Sequence, residues 1–434
     1  MKSISLRRVT PEQLFEKLQG PVNATALSQA REIVEDVRRG GEVALRRHSE
    51  RLGDTLPGAS ILIGKAELDL ALGRLDPEDR ACLERTAARI RHFAKEQLAC
   101  LAPLDLAIEG GRAGHRWIPA KCVGAYAPGG RYPLPSSVLM TGIPARVAGV
   151  ETVLVASPRP TELTLAAAAL AGADGLLAVG GAQAIAALAF GVLGPAADLV
   201  VGPGNRWVTA AKKHLVGEIG IDALAGPSEL VVIADASAPA NLIAADLIAQ
   251  AEHDVDARPI LIATDSAIAD SVEREIAIQL EDLSTGSIAR QALELNGRIV
   301  LVGELHEAVS VSDRVAPEHL QLCVEDPRAL AELAQAYGAI FIGSRSAEVF
   351  GDYGAGPNHV LPTGGSARFQ AGLSVYTFLR AATFLDLDDW TPLAPDSARL
   401  ARLEGLEGHA RATQRISRRP SQGKEQGTGS SPEN

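Results

Sequence analysis

From about residue 122 onward the chain alternates short aliphatic, β-branched runs with alanine-rich stretches of helical period, and this alternation limits its fold more than any other feature. Residues 152–156 read as a strand and 162–171 as a helix, 175–179 as a strand and 182–190 as a helix, 198–201 as a strand and 206–216 as a helix. A second series begins at 229–233 and continues through strands at 260–263, 299–302, 320–324 and 339–342, again with helices between. Strands separated by helices pair through crossovers rather than hairpins, and the crossover helices cover both faces of a parallel sheet. The expectation is two α/β units in tandem, joined near Ala225, Gly226, Pro227 and Ser228. A chain of 434 residues that is 46% hydrophobic has enough apolar surface for more than one core.

The flanks read differently. Residues 1–20 look like a short helical arm. Residues 23–99 look helical, with Ala30, Ile33, Val34 and Val37 at helical spacing, a break at Gly40 and Gly41, and a second long helix over 83–98. Glycine and polar residues cluster around 110–117. After Thr363 the pattern weakens: 374–384 and 396–411 read as helices outside any sheet, suited to an arm lying on another subunit. Residues 418–434 are polar and rich in Gly, Ser, Pro and Gln, the composition of a disordered tail.

Charge and composition remove several function classes. A net charge of −11 argues against nucleic-acid and anionic-membrane partners, and 4% aromatic content leaves few side chains on which nucleobases could stack. A polar start and the lack of any run of about 18 apolar residues predict neither a signal peptide nor a membrane span. Four scattered cysteines (Cys82, Cys100, Cys122, Cys323) without a Cys-x-x-Cys fit reduced thiols in the cytoplasm, each read as a small buried hydrophobe.

Three short segments carry chemistry. Residues 350–363 place Asp352 and His359 on a glycine-rich, proline-bounded stretch that buries little, so a ligand or a tight Asx-capped turn explains it better than core packing. Gln250 and His253 share a helix face at i, i+3 spacing and can reach one ion, or simply end a polar helix. Oxygen and nitrogen donors without thiolate suit zinc, manganese or iron. Glu318 and His319 follow Pro317, which should stop the preceding helix at Ala316 and put the pair at the start of a strand bordering a crevice. Neighbours in extended chain point opposite ways, so the two can serve one substrate only if the backbone turns between them; otherwise they are a surface acid–imidazole pair. Three glycine segments, at 128–130, 180–183 and 202–205, resemble phosphate loops or plain turns. No G-x-G-x-x-G occurs, so the glycines by themselves name no cofactor.

Taken jointly and in order, the segments 123–130, 179–191, 202–205, 225–229, 250–253, 317–320 and 351–363 strongly resemble the histidinol dehydrogenase family over roughly residues 20–415. The resemblance implies NAD-dependent oxidation of L-histidinol to L-histidine through a bound aldehyde, the last two steps of histidine biosynthesis. It implies one zinc per subunit held by Gln250, His253, Asp352 and His409, with His319 as general base and Glu318 activating water. Substrate contacts would come from Ser228, His359 and Glu404 together with the ligands and His319, and NAD contacts from Tyr126, Gln183 and Asn205. Glu404 and His409 rest on spacing within 403–409, where Glu407 is a competing acid. The family's C-terminal arm crosses to a partner, implying a homodimer in which His409 completes the neighbour's site. The expected fold is therefore two tandem incomplete Rossmann-like α/β/α units with an N-terminal helical arm and an exchanged C-terminal helical arm. Its expected limits are 1–20 for the N-terminal arm, 21–125 plus 227–372 for the catalytic domain, 126–226 for the NAD-associated domain, 373–417 for the C-terminal arm and 418–434 for the tail. Two other readings compete: a paralogous dehydrogenase of the same fold acting on another hydroxyalkyl substrate such as a sulfonated diol, and a metal-binding protein without catalysis. Aldehyde oxidation often uses a thiol, but Cys122 and Cys323 have no cationic neighbour in sequence beyond Lys121, so neither is expected to act.

Overall fold

The computed structural model describes residues 4–15, 23–129 and 133–416. They divide into one compact unit within Met1–Cys100 and Pro119–Leu379 and another within Leu101–Ile118 and Arg380–Asn434.

The larger unit contains two six-stranded sheets. In the first, the strands run in the order Leu62–Gly64, Gly175–Leu177, Thr152–Ala156, Cys122–Tyr126, Leu199–Val201, Gly220–Ile221; all pairs are parallel except the edge pair of Leu62–Gly64 with Gly175–Leu177. In the second the order is Arg7–Arg8, Arg298–Leu301, Arg258–Ala263, Glu229–Ala234, His319–Cys323, Ala339–Ile342, parallel throughout. Successive side chains of Glu229–Ala234 enter different cores: Leu230, Val232 and Ala234 pack with Leu247 and Leu293, whereas Val231 and Ile233 pack with Val309 and Val311. A strand buried on both faces must be apolar at consecutive positions, which is why these strands read as unbroken aliphatic runs.

The expected strands and helices from 152 to 342 are present, with ends moved by a few residues, and the junction at 225–228 falls between Gly220–Ile221 and Glu229–Ala234. Helix Leu305–Val315 stops as Pro317 requires, and Ala316 takes the left-handed conformation at φ 48°. The break expected at Gly40 and Gly41 is present: Gly41 leaves helical geometry at φ 52° and divides Ala24–Arg51 into two helical segments at a kink.

Several expectations are corrected. The N-terminal arm contains the helix Pro11–Phe15 but also a strand that was not expected, Arg7–Arg8, which adds an edge to the second sheet; residues 16–20 lie outside the described residues. Strand Leu62–Gly64 interrupts the helical reading of 23–99. The limits 21–125 do not follow the sheets, because Leu62–Gly64 and Cys122–Tyr126 belong to the first sheet with the proposed NAD residues. A three-residue strand is too short for a period to register.

In the smaller unit, Leu104–Ile108 and Gly111–Pro119 form an antiparallel hairpin in a three-stranded sheet with Leu379–Leu387. The hairpin is not among the expected elements although Leu104, Leu106 and Ile108 alternate with Asp105 and Ala107; in the structure both leucines are exposed, so that alternation marks no core-facing strand. The helix expected at 374–384 is instead a 3-10 turn, Val375–Phe378, running into that strand. The helix expected over 396–411 is two, Ala394–Leu403 and Glu407–Ile416, separated where Gly405 has φ 78°. The tail 418–434 and Gly130 lie outside the described residues.

Candidate active site

The second sheet places Glu318 and His319 at the amino end of strand His319–Cys323, beside the amino end of Glu229–Ala234. The general rule for open α/β sheets favours carboxyl ends, so the expected crevice is at the opposite edge here. Both side chains reach the main chain of one residue. Glu318 Oε2 accepts from the Glu229 N–H at 2.9 Å, and His319 Nδ1 lies 3.2 Å from the Glu229 carbonyl oxygen. The left-handed Ala316 and Pro317 turn the chain before the strand, and Glu318 Oε2 comes within 3.8 Å of His319 Nδ1. The two neighbours therefore face one place rather than opposite ways. The Glu229 side chain locks the surroundings: it pairs with Arg258 at 3.0 Å and accepts from the Gly364 N–H at 3.1 Å.

Asp352 lies on a short helix, Glu348–Tyr353, where a loop was expected. Its Oδ1 is 3.6 Å from His319 Nε2 and its Oδ2 is 4.0 Å from His253 Nε2. His253 caps helix Ala240–Glu252, and Gln250, one turn back, is fully buried. Gln250 reaches the group through Glu348: an amide oxygen facing a carboxylate satisfies neither group, and with the amide turned so that its N–H faces Glu348 it donates to Oε1 at 3.0 Å and approaches Oε2 at 3.3 Å. Glu348 Oε1 is in turn 3.5 Å from His319 Nδ1. Glu348 was missed because residues 350–363 were read as loop. Its signal was present, since Glu348 and Asp352 stand at i, i+4, the spacing of one helix face.

Ligand atoms of His253, Glu348 and Asp352 lie within 4.8 Å of one another. Two donors each about 2.0–2.2 Å from one ion lie at most about 4 Å apart, so the 4.0 Å between His253 and Asp352 is compatible with a shared cation. Oxygen and imidazole donors without thiolate fit zinc, manganese or iron.

The electrostatics follow from burial. Glu318 is pushed up to about 7 and Glu348 to about 8, both chiefly by desolvation. Desolvation lowers the His319 pKa, but Glu348, Glu318 and Asp352 together outweigh it and raise it to about 10. Asp352 is desolvated as well, yet His319 holds it below the ordinary carboxylate value. Among these carboxylates the ring is protonated at neutral pH; once it gives up one proton, the one that remains sits on Nδ1, which faces Glu229 and Glu348. Nε2 is buried without a hydrogen-bond partner among the described residues.

Ser228 is half-buried and immediately precedes Glu229, its carbonyl accepting from the Arg258 N–H at 2.9 Å. His359 reaches the cluster with both nitrogens engaged: Nδ1 lies 3.0 Å from the Asp352 carbonyl and Nε2 lies 3.4 Å from Ser137 Oγ. Burial lowers its pKa. In the smaller unit, Glu404 caps helix Ala394–Leu403 and His409 lies exposed on helix Glu407–Ile416. Glu407, the competing acid, is committed to Arg402 at 3.2 Å and Arg411 at 3.1 Å.

The expected NAD residues gather at the carboxyl edge of the first sheet. Strand order reverses between Cys122–Tyr126 and Leu199–Val201, the kind of switch point where such sheets bind nucleotides. Tyr126 is buried, with its hydroxyl accepting from the Gly181 N–H at 3.3 Å. Gln183 donates to Asp54 at 2.7 Å and leaves its buried Oε1 without a partner among the described residues. Asn205 caps helix Arg206–Leu215 through Oδ1. Gly202 (φ 109°) must be glycine, since a Cβ there would meet the Tyr126 carbonyl oxygen at 2.0 Å. These features fit a nucleotide cofactor.

Cys122 and Cys323 are buried, and burial pushes their thiols up to about 11 and about 12, so neither offers a thiolate near neutrality. Cys82 and Cys100 are exposed, against the expectation of burial. Cys122→Ala and Cys323→Ala should each retain at least about a third of wild-type kcat. A thousandfold loss with metal retained would reveal a covalent thiol step, since losses of about that size mark direct catalytic groups.

The family model described as histidinol dehydrogenase matches residues 19–416. The histidinol dehydrogenase of Thermus thermophilus is 47% identical over 387 residues, 88% of this chain and 92% of that protein. The Rhodospirillum rubrum histidinol dehydrogenase is 44% identical, over 87% of this chain and 89% of that protein. The crystal structure of histidinol dehydrogenase from Elizabethkingia anophelis superposes with a TM-score of 0.88 at 31% identity, covering 96% of this chain and 98% of that one.

Proposed function

The chain belongs to the histidinol dehydrogenase family and oxidises histidinol in histidine biosynthesis, and from that premise we propose that it carries L-histidinol to L-histidine in two NAD-dependent steps at the Glu318–His319 cluster. The observation that carries this reading is a buried His319 Nε2 with no hydrogen-bond partner among the described residues, beside Glu318 and the His253–Asp352 donors. Sequence relatives named for another hydroxyalkyl substrate would favour the paralogue reading; those reported above are histidinol dehydrogenases.

Gln250, His253 and Asp352 would hold zinc, one per subunit, which would supply a Lewis acid for the substrate's nitrogen donors and offset the surrounding carboxylates that otherwise keep His319 protonated. Tyr126, Gln183 and Asn205 would hold NAD, which would supply the hydride acceptor for the carbinol carbon. His319 Nε2 takes the hydroxyl proton as the alcohol becomes histidinaldehyde. Its Nδ1–H stays directed at the Glu229 carbonyl and Glu348, which keeps the lone pair on Nε2. Glu318 removes a proton from the water that adds to the aldehyde. A carboxyl pushed up to about 7 suits this task, because a base that titrates near the working pH both takes and returns a proton. The hydrate is again an alcohol, so His319 acts a second time and the acid is released. Retaining the aldehyde between steps keeps it away from competing nucleophiles.

Ser228 and His359 border the substrate, His359 by orienting Asp352 through its carbonyl. Asn205 and Gln183 face NAD, and Tyr126 secures the Gly181 turn beneath it. Glu404 and His409 complete the site of a partner in a homodimer with exchanged C-terminal arms. Exposure of His409 and of Leu400, Leu403 and Leu406 in the smaller unit supports that arrangement, since exposed apolar side chains grouped on one segment suit a partner surface. Free cysteines support a cytoplasmic location. Among the described residues no helix is long and apolar enough to cross a membrane.

Absorbance at the NADH band on mixing with L-histidinol and NAD tests the reading. It should show two NADH formed per histidinol, lost on treatment with a strong chelator and restored by zinc. Turnover only with a different hydroxyalkyl substrate, or none at all, would refute it.

A further inference from the structure

We propose that Glu348 is a positioning residue that sets the Gln250 amide for metal binding and the His319 ring for proton transfer. The inference rests on the zinc reading above and adds a residue to it.

Glu348 is only 4% exposed, and among the described residues its one ion-pair partner within 4.0 Å is His319. A buried carboxylate is tolerated when its lone pairs are filled by donors. Two donors meet it here, the Gln250 N–H at 3.0 Å and His319 Nδ1 at 3.5 Å, and both converge on Oε1. An amide has one end that donates and one that accepts, and only the oxygen can hold a cation. With its N–H end committed to Glu348, Gln250 has its carbonyl oxygen on the other side of the amide, available as a ligand. Without that acceptor the buried amide is free to turn over and present N–H groups, which repel a cation. The same carboxylate oxygen draws the Nδ1–H of His319 and so reserves Nε2 for the substrate proton.

A carboxylate oxygen of Glu348 also lies within 4.8 Å of ligand atoms of His253 and Asp352. Its committed Oε1 makes it a support for ligands rather than a ligand. Helix Glu348–Tyr353 thus carries both, with Asp352 one turn after Glu348 on the same face. Groups that orient metal ligands typically change metal affinity by about ten- to a hundredfold when removed.

The test measures zinc affinity of the intact enzyme by competition with a chromogenic chelator, alongside kcat and KM at saturating zinc. Glu348→Met keeps the volume and removes the acceptor, so the zinc dissociation constant should rise at least about tenfold. With zinc saturating, kcat should still fall while KM for NAD stays within about threefold, because the base is misplaced but the first sheet is untouched. Glu348→Gln keeps an oxygen for the Gln250 N–H and should return zinc affinity to within about threefold of wild type. In a Gln250→Ala background, Glu348→Met should add little further loss of zinc, since both act through one amide. Wild-type zinc affinity in Glu348→Met would overturn the proposal. So would equal zinc loss in Glu348→Gln and Glu348→Met, which would make Glu348 a ligand. Wild-type enzyme that takes up no zinc would instead refute the metal reading on which the proposal stands. Circular dichroism and NAD-induced thermal shift of each variant separate loss of function from loss of fold.

Discussion

His319→Asn should lower kcat for histidinol oxidation by about 10²- to 10⁴-fold, the range lost when a positioned general base is removed. Zinc content and histidinol affinity should stay close to wild type. The asparagine amide can still donate toward the Glu229 carbonyl, which His319 Nδ1 now faces at 3.2 Å, so the strand end keeps its anchor. What disappears is Nε2, the buried nitrogen with no partner among the described residues. Because the hydroxyl proton leaves in both oxidations, both half-reactions should slow together. The distinguishing measurement is zinc content beside kcat. Loss of zinc in step with activity would make His319 a ligand, and a kcat within tenfold of wild type would place the base elsewhere.

Glu318→Gln should separate the two oxidations. In a single turnover it should yield one NADH per histidinol instead of two, and overall kcat should fall by about 10²- to 10⁴-fold. Glutamine Oε1 can go on accepting from the Glu229 N–H, so the geometry at the strand end survives while the proton acceptor for water is lost. Stability offers an independent check. Burial raises the Glu318 carboxyl from 4.5 to about 7, so the folded state holds that proton more tightly than the unfolded chain does. Its contribution to stability therefore declines as pH rises through that window. Glu318→Gln removes the charge, and its Tm at pH 8 should equal or exceed that of the wild type. A variant that still gives two NADH at an undiminished rate would show that another group activates the water.

Some of this site was open to reading in one dimension. Pro317 announced the end of a helix and the start of a strand, and Gln250 with His253 stood at a spacing only a helix brings to one face. The glycine at 202 marked a backbone approach that the structure shows as contact with Tyr126. Glu348 escaped because glycines nearby suggested loop, and local composition outweighed the i, i+4 relation to Asp352. The sequence marks His359 as a candidate substrate contact, and its nitrogens lie against Ser137 Oγ and the Asp352 carbonyl, partners that no local pattern announces. Arg7–Arg8 was read as part of an arm because two residues carry no period, whatever they pair with.

What the sequence determined by itself is the alternation of strand and helix, the parallel sheets that follow from it, and the set of residues able to hold a cation or move a proton. Those depend on neighbours within a turn or a strand, where side-chain direction is dictated by backbone period. Only the tertiary structure decided that Glu318 and His319 both reach the Glu229 main chain, and that Glu348 ties Gln250 to the base. Such convergence depends on strand register and helix placement across long stretches of chain. Many arrangements satisfy the same local periods, and only packing of the whole selects one.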